Sequence, residues 1–236
     1  MKKFVYLFFF LFSVNLYSKN YDNFKVSDIS SIKEFTYDIS KVLTSGSINS
    51  ARVLGFGGFA LSYKSVYGIK PESGDSIYEK NRVYRLDFVQ AEIGLPYRID
   101  TYLRAGGEGN FNAIGFGLRY GLKNVVDEIY KPNLILGLGS NIGLQKYFYI
   151  VNYNAQIALS LKITNIIRPF ASAGFSYSKL NIKNNDDITL VGKNIYKNFP
   201  FYTLGLRFKF KWFNISMAYD IYEKEDGFNT SVGVRF

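Results

Sequence analysis

The chain reads as all-β: a closed antiparallel transmembrane β-barrel of about ten strands (8–12), preceded by one N-terminal amphipathic helix. Three observations predict it. From residue 51 onward, apolar and polar residues alternate with a period of two over about ten runs, each of roughly ten residues, the length that a tilted membrane strand needs. Aromatics make up 18% of the 236 residues (20 Tyr, 22 Phe), yet mean hydropathy is only −0.04, so large apolar rings stand beside polar groups throughout. The chain has no Cys and therefore no disulfide framework, and closure into a barrel is what satisfies every strand edge in lipid.

The elements follow in order. Residues 4–14, FVYLFFFLFSV, come after Lys2 and Lys3 and are too short to span a bilayer, which takes roughly 20 apolar residues. With the small Ser18 near its end, the segment 1–18 reads as a secretory signal peptide, the alternative being a single membrane anchor. Residues 19–50 form an N-terminal segment, periplasmic or plugging, that carries the helix. Ile29, Ile32, Phe35, Ile39, Val42 and Leu43 recur at helical spacing, Ser31 with Glu34 or an earlier start at Ser27 offers a capping box, and Gly46 closes the turn.

Residues 51–236 form the barrel. The clearest strands are FNAIGFGLRYG, YIVNYNAQIALSLKI, FYTLGLRFKF, FNISMAYDIY and GFNTSVGVRF. Weaker alternation marks residues 52–63, 83–95, 100–106, 133–144 and 169–180. A soluble sandwich or a lipocalin-like barrel uses the same alternation. The membrane is favoured by Gly, Asn and Arg on the polar face and aromatics at the strand ends, where a headgroup girdle lies. Connections of uneven length agree: 145–146, 96–99, 164–168 and 211 are tight, while 64–82 and 181–200 are long and polar. The stretch 123–132 is longer than an inner turn should be.

The final strand places Phe228, Thr230, Val232, Val234 and the terminal Phe236 on one face. It resembles the C-terminal signature of bacterial outer-membrane β-barrel proteins, the small porin-like or OmpA-like barrels. The resemblance implies outer-membrane localisation and makes Phe228, Val232, Val234 and Phe236 a signal read by the barrel-assembly machinery. With both chain ends in the periplasm, an even strand count follows, and the long connections 64–82 and 181–200 lie outside the cell.

Net charge is +10, and loss of Lys2 and Lys3 with the signal leaves +8. The basic groups are scattered, without the run of a nucleic-acid tail, so outer-membrane lipid headgroups and lipopolysaccharide phosphates are the expected counter-charges.

No His and no Cys are present, which removes Ser-His-Asp and Cys-His nucleophile activation and nearly all transition-metal sites. No catalytic residue, metal or cofactor is expected. The carboxylates Asp186, Asp187, Glu223, Glu225 and Asp226 sit among polar loop residues and read as solvated surface. GLGSNIG has one residue too many for a dinucleotide fingerprint and no strand-to-helix context. The glycines at 115, 117, 137 and 139 instead read as small residues on a crowded lumen wall, leaving room for a neighbouring Arg or Tyr.

Candidate lumen charges are Arg85, Asp87, Glu92, Arg104, Arg119, Arg207, Lys209, Asp220 and Arg235, with Glu92–Arg119 and Asp220–Arg207 the expected pairs. They imply either an interior salt-bridge lattice or an anion-preferring channel. Function then divides among three readings. The first is a non-enzymatic narrow pore or structural barrel for small solutes. The others are a non-conducting surface, adhesion or scaffold protein, and a conduit for hydrophobic substrates with the helix as hatch. A ten-strand lumen is tight for a helix roughly 10 Å across, so the helix is expected to dock at the periplasmic mouth, its Glu34 or Asp38 meeting Arg52 or Arg235.

Overall fold

The computed structural model describes residues 21–68, 77 and 84–236. The expected signal peptide and most of the connection after the first strand lie outside the described residues.

Two helices, α1 (Asn23–Val26) and α2 (Ile29–Thr44), precede ten strands. These are β1 (Phe59–Gly68), β2 (Tyr84–Leu95), β3 (Ile99–Glu108), β4 (Phe111–Gly121) and β5 (Pro132–Leu144). After them come β6 (Phe148–Leu161), β7 (Ile167–Ile182), β8 (Asn194–Lys209), β9 (Phe213–Ile221) and β10 (Asp226–Arg235). Each strand pairs antiparallel with its neighbour in sequence, and β10 pairs with β1, so the sheet closes into a ten-stranded barrel. At that seam the Phe59 and Phe236 backbones exchange hydrogen bonds of 3.2 and 2.8 Å, and their rings stack 6.4 Å apart.

The period of two decides which side chains face lipid. Along β4, Ile114, Phe116, Leu118 and Tyr120 point outward, while Ala113, Gly115, Gly117 and Arg119 point inward. The same holds on β6, where Tyr153, Ile157 and Leu159 face out and Asn152, Asn154 and Gln156 face in. Around the ring these outward side chains form an apolar belt, as a bilayer requires.

The terminal end of the barrel holds the start of β1, the end of β10 and the turns 96–98, 122–131, 162–166 and 210–212. The loop end holds the remaining hairpins, including 145–147, 183–193 and 222–225. Three boundaries depart from the sequence reading. Residues 51–58 are irregular backbone, and β1 starts at Phe59 and runs on to Gly68. The long polar stretch 181–200 shrinks to 183–193, because β7 and β8 extend beyond the belt as a polar-faced hairpin.

The helix also departs from expectation in two ways. Its N-cap is Asp28, whose carboxylate accepts from the Ser31 backbone N–H at 2.8 Å, in place of Ser31 or Ser27. More importantly, α2 lies inside the barrel and not across its mouth: every residue from Phe35 to Thr44 is buried, against β1, β2, β6, β7 and β8. Small wall residues make the room. A Cβ on Gly137 would come within 2.6 Å of Ile48 Cδ1 on the plug, and one on Gly117 within 2.5 Å of Tyr102. The expectation counted strands and overlooked how much radius missing side chains return to the lumen.

Candidate functional site

The site is the lumen and the segment threaded through it. Tyr21 to Val26 sit at the loop end, α2 descends through the barrel, and residues 45–54 reach the terminal end before the chain turns back into β1; the described residues thus begin and end on opposite sides of the barrel, where both ends were expected on the periplasmic side. The segment therefore meets the wall at every height.

Its upper half is apolar. Phe148 is the centre of a buried aromatic cluster, with ring centroids 4.8 Å from Phe24, 5.1 Å from Phe35 and 5.9 Å from both Tyr21 and Phe111. Ile32, Ile39 and Leu43 of α2 pack in the same core with Ile150, Leu180 and Ile182 of the wall. Above it, loop residues tie the entry down. Asn185 Nδ2 donates to the carbonyls of Phe24 and Ser27 at 3.0 and 3.1 Å, and Lys25 pairs with Asp186 at 2.9 Å. The Tyr147 hydroxyl reaches Asp22 at 2.7 Å. Asp186 and Asp187 are exposed, as the sequence reading expected, and they also have structural partners: Asp186 anchors the helix entry through Lys25 and Asp187 caps a short 3₁₀ turn.

The polar side of α2 survives burial because its side chains are short. Thr36, Ser40 and Thr44 each return a hydroxyl hydrogen bond to the carbonyl four residues back, so little polar capacity is left unmet. Asn152 Nδ2 then donates to Thr44, Ser176 and Ser178 at 3.1, 2.8 and 2.9 Å. The one charged rung is Lys41, which pairs with Asp38 at 2.7 Å and with Glu225 at 2.9 Å. Glu225 is thereby drawn out of the expected solvated cluster.

The helix C-terminus meets cations. The last carbonyls of a helix have no partner within it and carry the negative end of its dipole. Here Arg104 donates to the carbonyls of Leu43 and Ser45 (2.9 Å to the latter) and to Asn141 Oδ1 at 2.8 Å, with its guanidinium 4.6 Å from the Phe88 ring centroid. Lys64 Nζ donates to the Gly46 carbonyl at 2.5 Å, and the Tyr222 hydroxyl to that of Lys41 at 3.1 Å. Arg104 was expected in a salt-bridge lattice; its partners are carbonyls. Lys64 escaped the sequence reading altogether because it was assigned to a loop.

The other predicted lumen charges divide. Glu92 does pair with Arg119, at 2.5 Å, and also accepts from Gln90 at 2.7 Å. Asp220 does not meet Arg207. The β8–β9 register sets Asp220 opposite Thr203 and Arg207 opposite Ser216, four residues apart along the strand, or about 13 Å. Asp220 accepts instead from Thr203 at 2.6 Å, from Asn229 at 2.7 Å and from the Ser45 hydroxyl. Arg235 donates to the carbonyls of Val53 and Leu54, and Lys209 lies half-buried near the terminal end. The expected meeting of Glu34 or Asp38 with Arg52 or Arg235 does not occur, since Glu34 faces Lys197 and Lys224 at the loop end.

Arg85 and Asp87 are not in the lumen. They face outward near the loop end, 2.7 Å apart, where Arg85 also donates to the Tyr63 and Ser65 hydroxyls. Inward at that height stand Tyr84, Leu86 and Phe88, packed into the apolar core.

At the terminal end, Asp127 on the 122–131 turn meets Arg52 at 3.1 Å, Arg168 at 2.8 Å and Lys162 at 3.8 Å. Partial burial opposes the Asp127 charge, but the three cations outweigh it and hold the carboxyl below its usual range. Asp100 accepts from the Leu54 backbone N–H at 2.9 Å and so pins the descending segment.

No protein-family model matches this chain, and no curated protein matches it. Among solved structures it is similar to Ail, the attachment invasion locus protein of Yersinia pestis, at 13% identity and TM-score 0.40, over 77% of this chain and 99% of that one. It is similar also to the N-terminal β-barrel domain of Pseudomonas aeruginosa OprF (13%, TM-score 0.37, 77% and 99%) and to the KdgM porin (10%, TM-score 0.40, 75% and 99%). At these identities the likeness is one of fold alone. The closed ring, the apolar belt and the polar lower lumen are in themselves the architecture of an outer-membrane β-barrel.

Proposed function

We infer that this outer-membrane β-barrel is held closed by its own N-terminal segment and serves as a non-enzymatic, non-conducting scaffold that presents a fixed outer surface. The observation that carries the reading is the burial of α2 along the lumen. Five of the plug's apolar side chains (Phe24, Ile32, Phe35, Ile39 and Leu43) are fully buried. At roughly 1.5–3 kcal/mol each, they contribute on the order of 10 kcal/mol against withdrawal. With the terminal end in the periplasm, the surface outside the cell is built jointly from residues 21–27 and the 183–193 hairpin. Such a tied surface favours preorganised contact with a partner over passage of a solute.

Planar-bilayer recording tests this. The full-length chain should stay closed, and a chain lacking residues 19–46 should conduct; sustained open steps from the full-length protein would overturn the reading. A gated pore is the second reading, favoured by the hydrogen-bonded lower contact of the plug, which exchanges with water more readily than the aromatic core does.

Two partner classes belong to the same proposal. Lipid and lipopolysaccharide surround the belt, and the outward row Phe228, Thr230, Val232, Val234 and Phe236 acts as the signal for the barrel-assembly machinery. Phe236→Asp, which keeps the backbone hydrogen bonds to Phe59 and changes only a side chain that is 71% exposed, should lower the amount of assembled barrel while export continues. Undiminished assembly would separate the row from that role.

A further inference from the structure

A small cavity of about 30 Å³ lies in the lumen at the terminal end, between residues 49–54 of the plug and the wall of β1, β8, β9 and β10. Its charged lining is lopsided: Arg52, Arg119, Arg207 and Arg235 stand against the single carboxylate of Glu92. That carboxylate is already committed to Arg119 and Gln90. Arg52 is paired with Asp127, and Arg235 donates to plug carbonyls. Arg207 is left over. Among the described residues its guanidinium has no hydrogen bond or ion pair, and its buried Nε, like that of Arg119, has no acceptor. Asn214 spends its amide N–H on the Gly233 carbonyl, and the remaining oxygens of this wall, the unpartnered Asn49 Oδ1 among them, are neutral and leave the excess of positive charge unbalanced.

Four guanidinium groups facing one small space with a single carboxylate mark a place for an anion. Arg207 is half-buried with its Nε shut off from water and from any acceptor, which is costly, and an oxyanion meets the planar fork of a guanidinium with two parallel hydrogen bonds. We propose that this cavity binds one small inorganic oxyanion of phosphate type, held chiefly by Arg207 with Arg119 beside it. Volume limits the ligand to a single small anion and shuts out sugars and nucleotides. The place in the lumen, behind the belt, makes it a soluble anion from the periplasmic side and not a lipid headgroup. Bound there, the anion bridges plug and wall at the end where the contact is polar. This site stands whether or not the barrel ever opens, because it needs only the closed arrangement.

The test uses the full-length barrel in detergent, titrated calorimetrically with inorganic phosphate at fixed ionic strength in sodium gluconate, an anion too large for the space. Saturable binding of one phosphate per chain is expected. Arg207→Gln should weaken it about tenfold or more, as loss of a charge-assisted contact does. Lys146→Gln, on a hairpin at the opposite end, should leave it unchanged. Gel mobility before and after boiling reports whether each variant is a folded barrel. If Arg207→Gln does not fold, Arg207→Lys decides: it keeps the charge without the fork, and unaltered affinity there would overturn the assignment. So would absence of saturable binding to the unsubstituted chain, or equal weakening by Lys146→Gln, which would reveal diffuse screening.

Discussion

The two halves of this lumen are held by opposite kinds of force. Toward the loop end, plug and wall meet through aromatic and aliphatic side chains around Phe148. Toward the terminal end they meet through Arg104, Lys64, Asp220, Asn152 and Gln156, each placed on a particular oxygen or nitrogen of the plug or wall. Apolar contact is non-directional and scales with area, so it fixes the plug's presence. Hydrogen bonds depend on distance and angle, so they fix its height and rotation. A barrel with only the first would be sealed by a helix free to slip; one with only the second would be sealed weakly.

Substitutions on the two sides should differ accordingly. The largest effect belongs to the upper half: Phe148→Ala empties the centre of the cluster and should cost about 3–5 kcal/mol. Denaturant unfolding followed by the fluorescence of Trp212, the one tryptophan, reads it out. A loss below about 1 kcal/mol would mean that the aromatic core does not bear the plug. In the lower half, Arg104→Met strands the helix carbonyls and should cost less, about 2–3 kcal/mol, with part regained in Arg104→Lys. Its distinguishing sign is faster amide exchange at residues 41–47 while residues 21–35 stay protected. Equal loosening of both stretches would erase the contrast between the halves.

The smallest effect concerns pH. The Asp127 carboxyl is depressed below its ordinary 3.8 by Arg52, Arg168 and Lys162. A depressed acid stabilises the fold fully above its unfolded-state value and loses that contribution as pH falls through the lower folded-state value. Acidification below about pH 4 should therefore loosen the 122–131 turn, read as amide exchange, and Asp127→Asn should flatten the dependence. Because nearly half of that side chain is exposed, solvent screening keeps the effect slight.

Strand alternation made the barrel legible, since residues that share a face repeat every second position whatever covers that face. It could not say where along a strand the inner face changes from polar to apolar. In β2 the apolar side changes over midway: Tyr84, Leu86 and Phe88 point inward and Val89, Ile93 and Leu95 outward. The exterior passes from polar surroundings to lipid at about the height where the interior passes from aromatic core to polar lattice. Arg85 and Asp87 thus looked like lumen charges and are exterior ones. β6 shows the same change, with Phe148 and Ile150 inside above Asn152 and Asn154. Arg104 was found because a lone Arg opposite Leu103 in an alternating strand has one place to go, but its partner was invisible: a backbone carbonyl has no letter in the sequence. Asp220 and Arg207 failed as a pair for want of register, which pairing distances set and composition does not.

The course of residues 21–54 through the ring has a further consequence, for the order in which the molecule is made. A thread inside a closed bead either was pushed through the hole or was there when the bead was joined. Phe24, Phe35 and Tyr37 are wide, the ring is bonded all round, and Ser45 is held by Asp220 and Asn229 of the last two strands to be synthesised. Joining around the thread is the route that requires no passage. The β1–β10 seam, where Phe59 and Phe236 meet, then becomes the clasp that shuts last, with the helix already lying in the open sheet as the form on which the curve is bent.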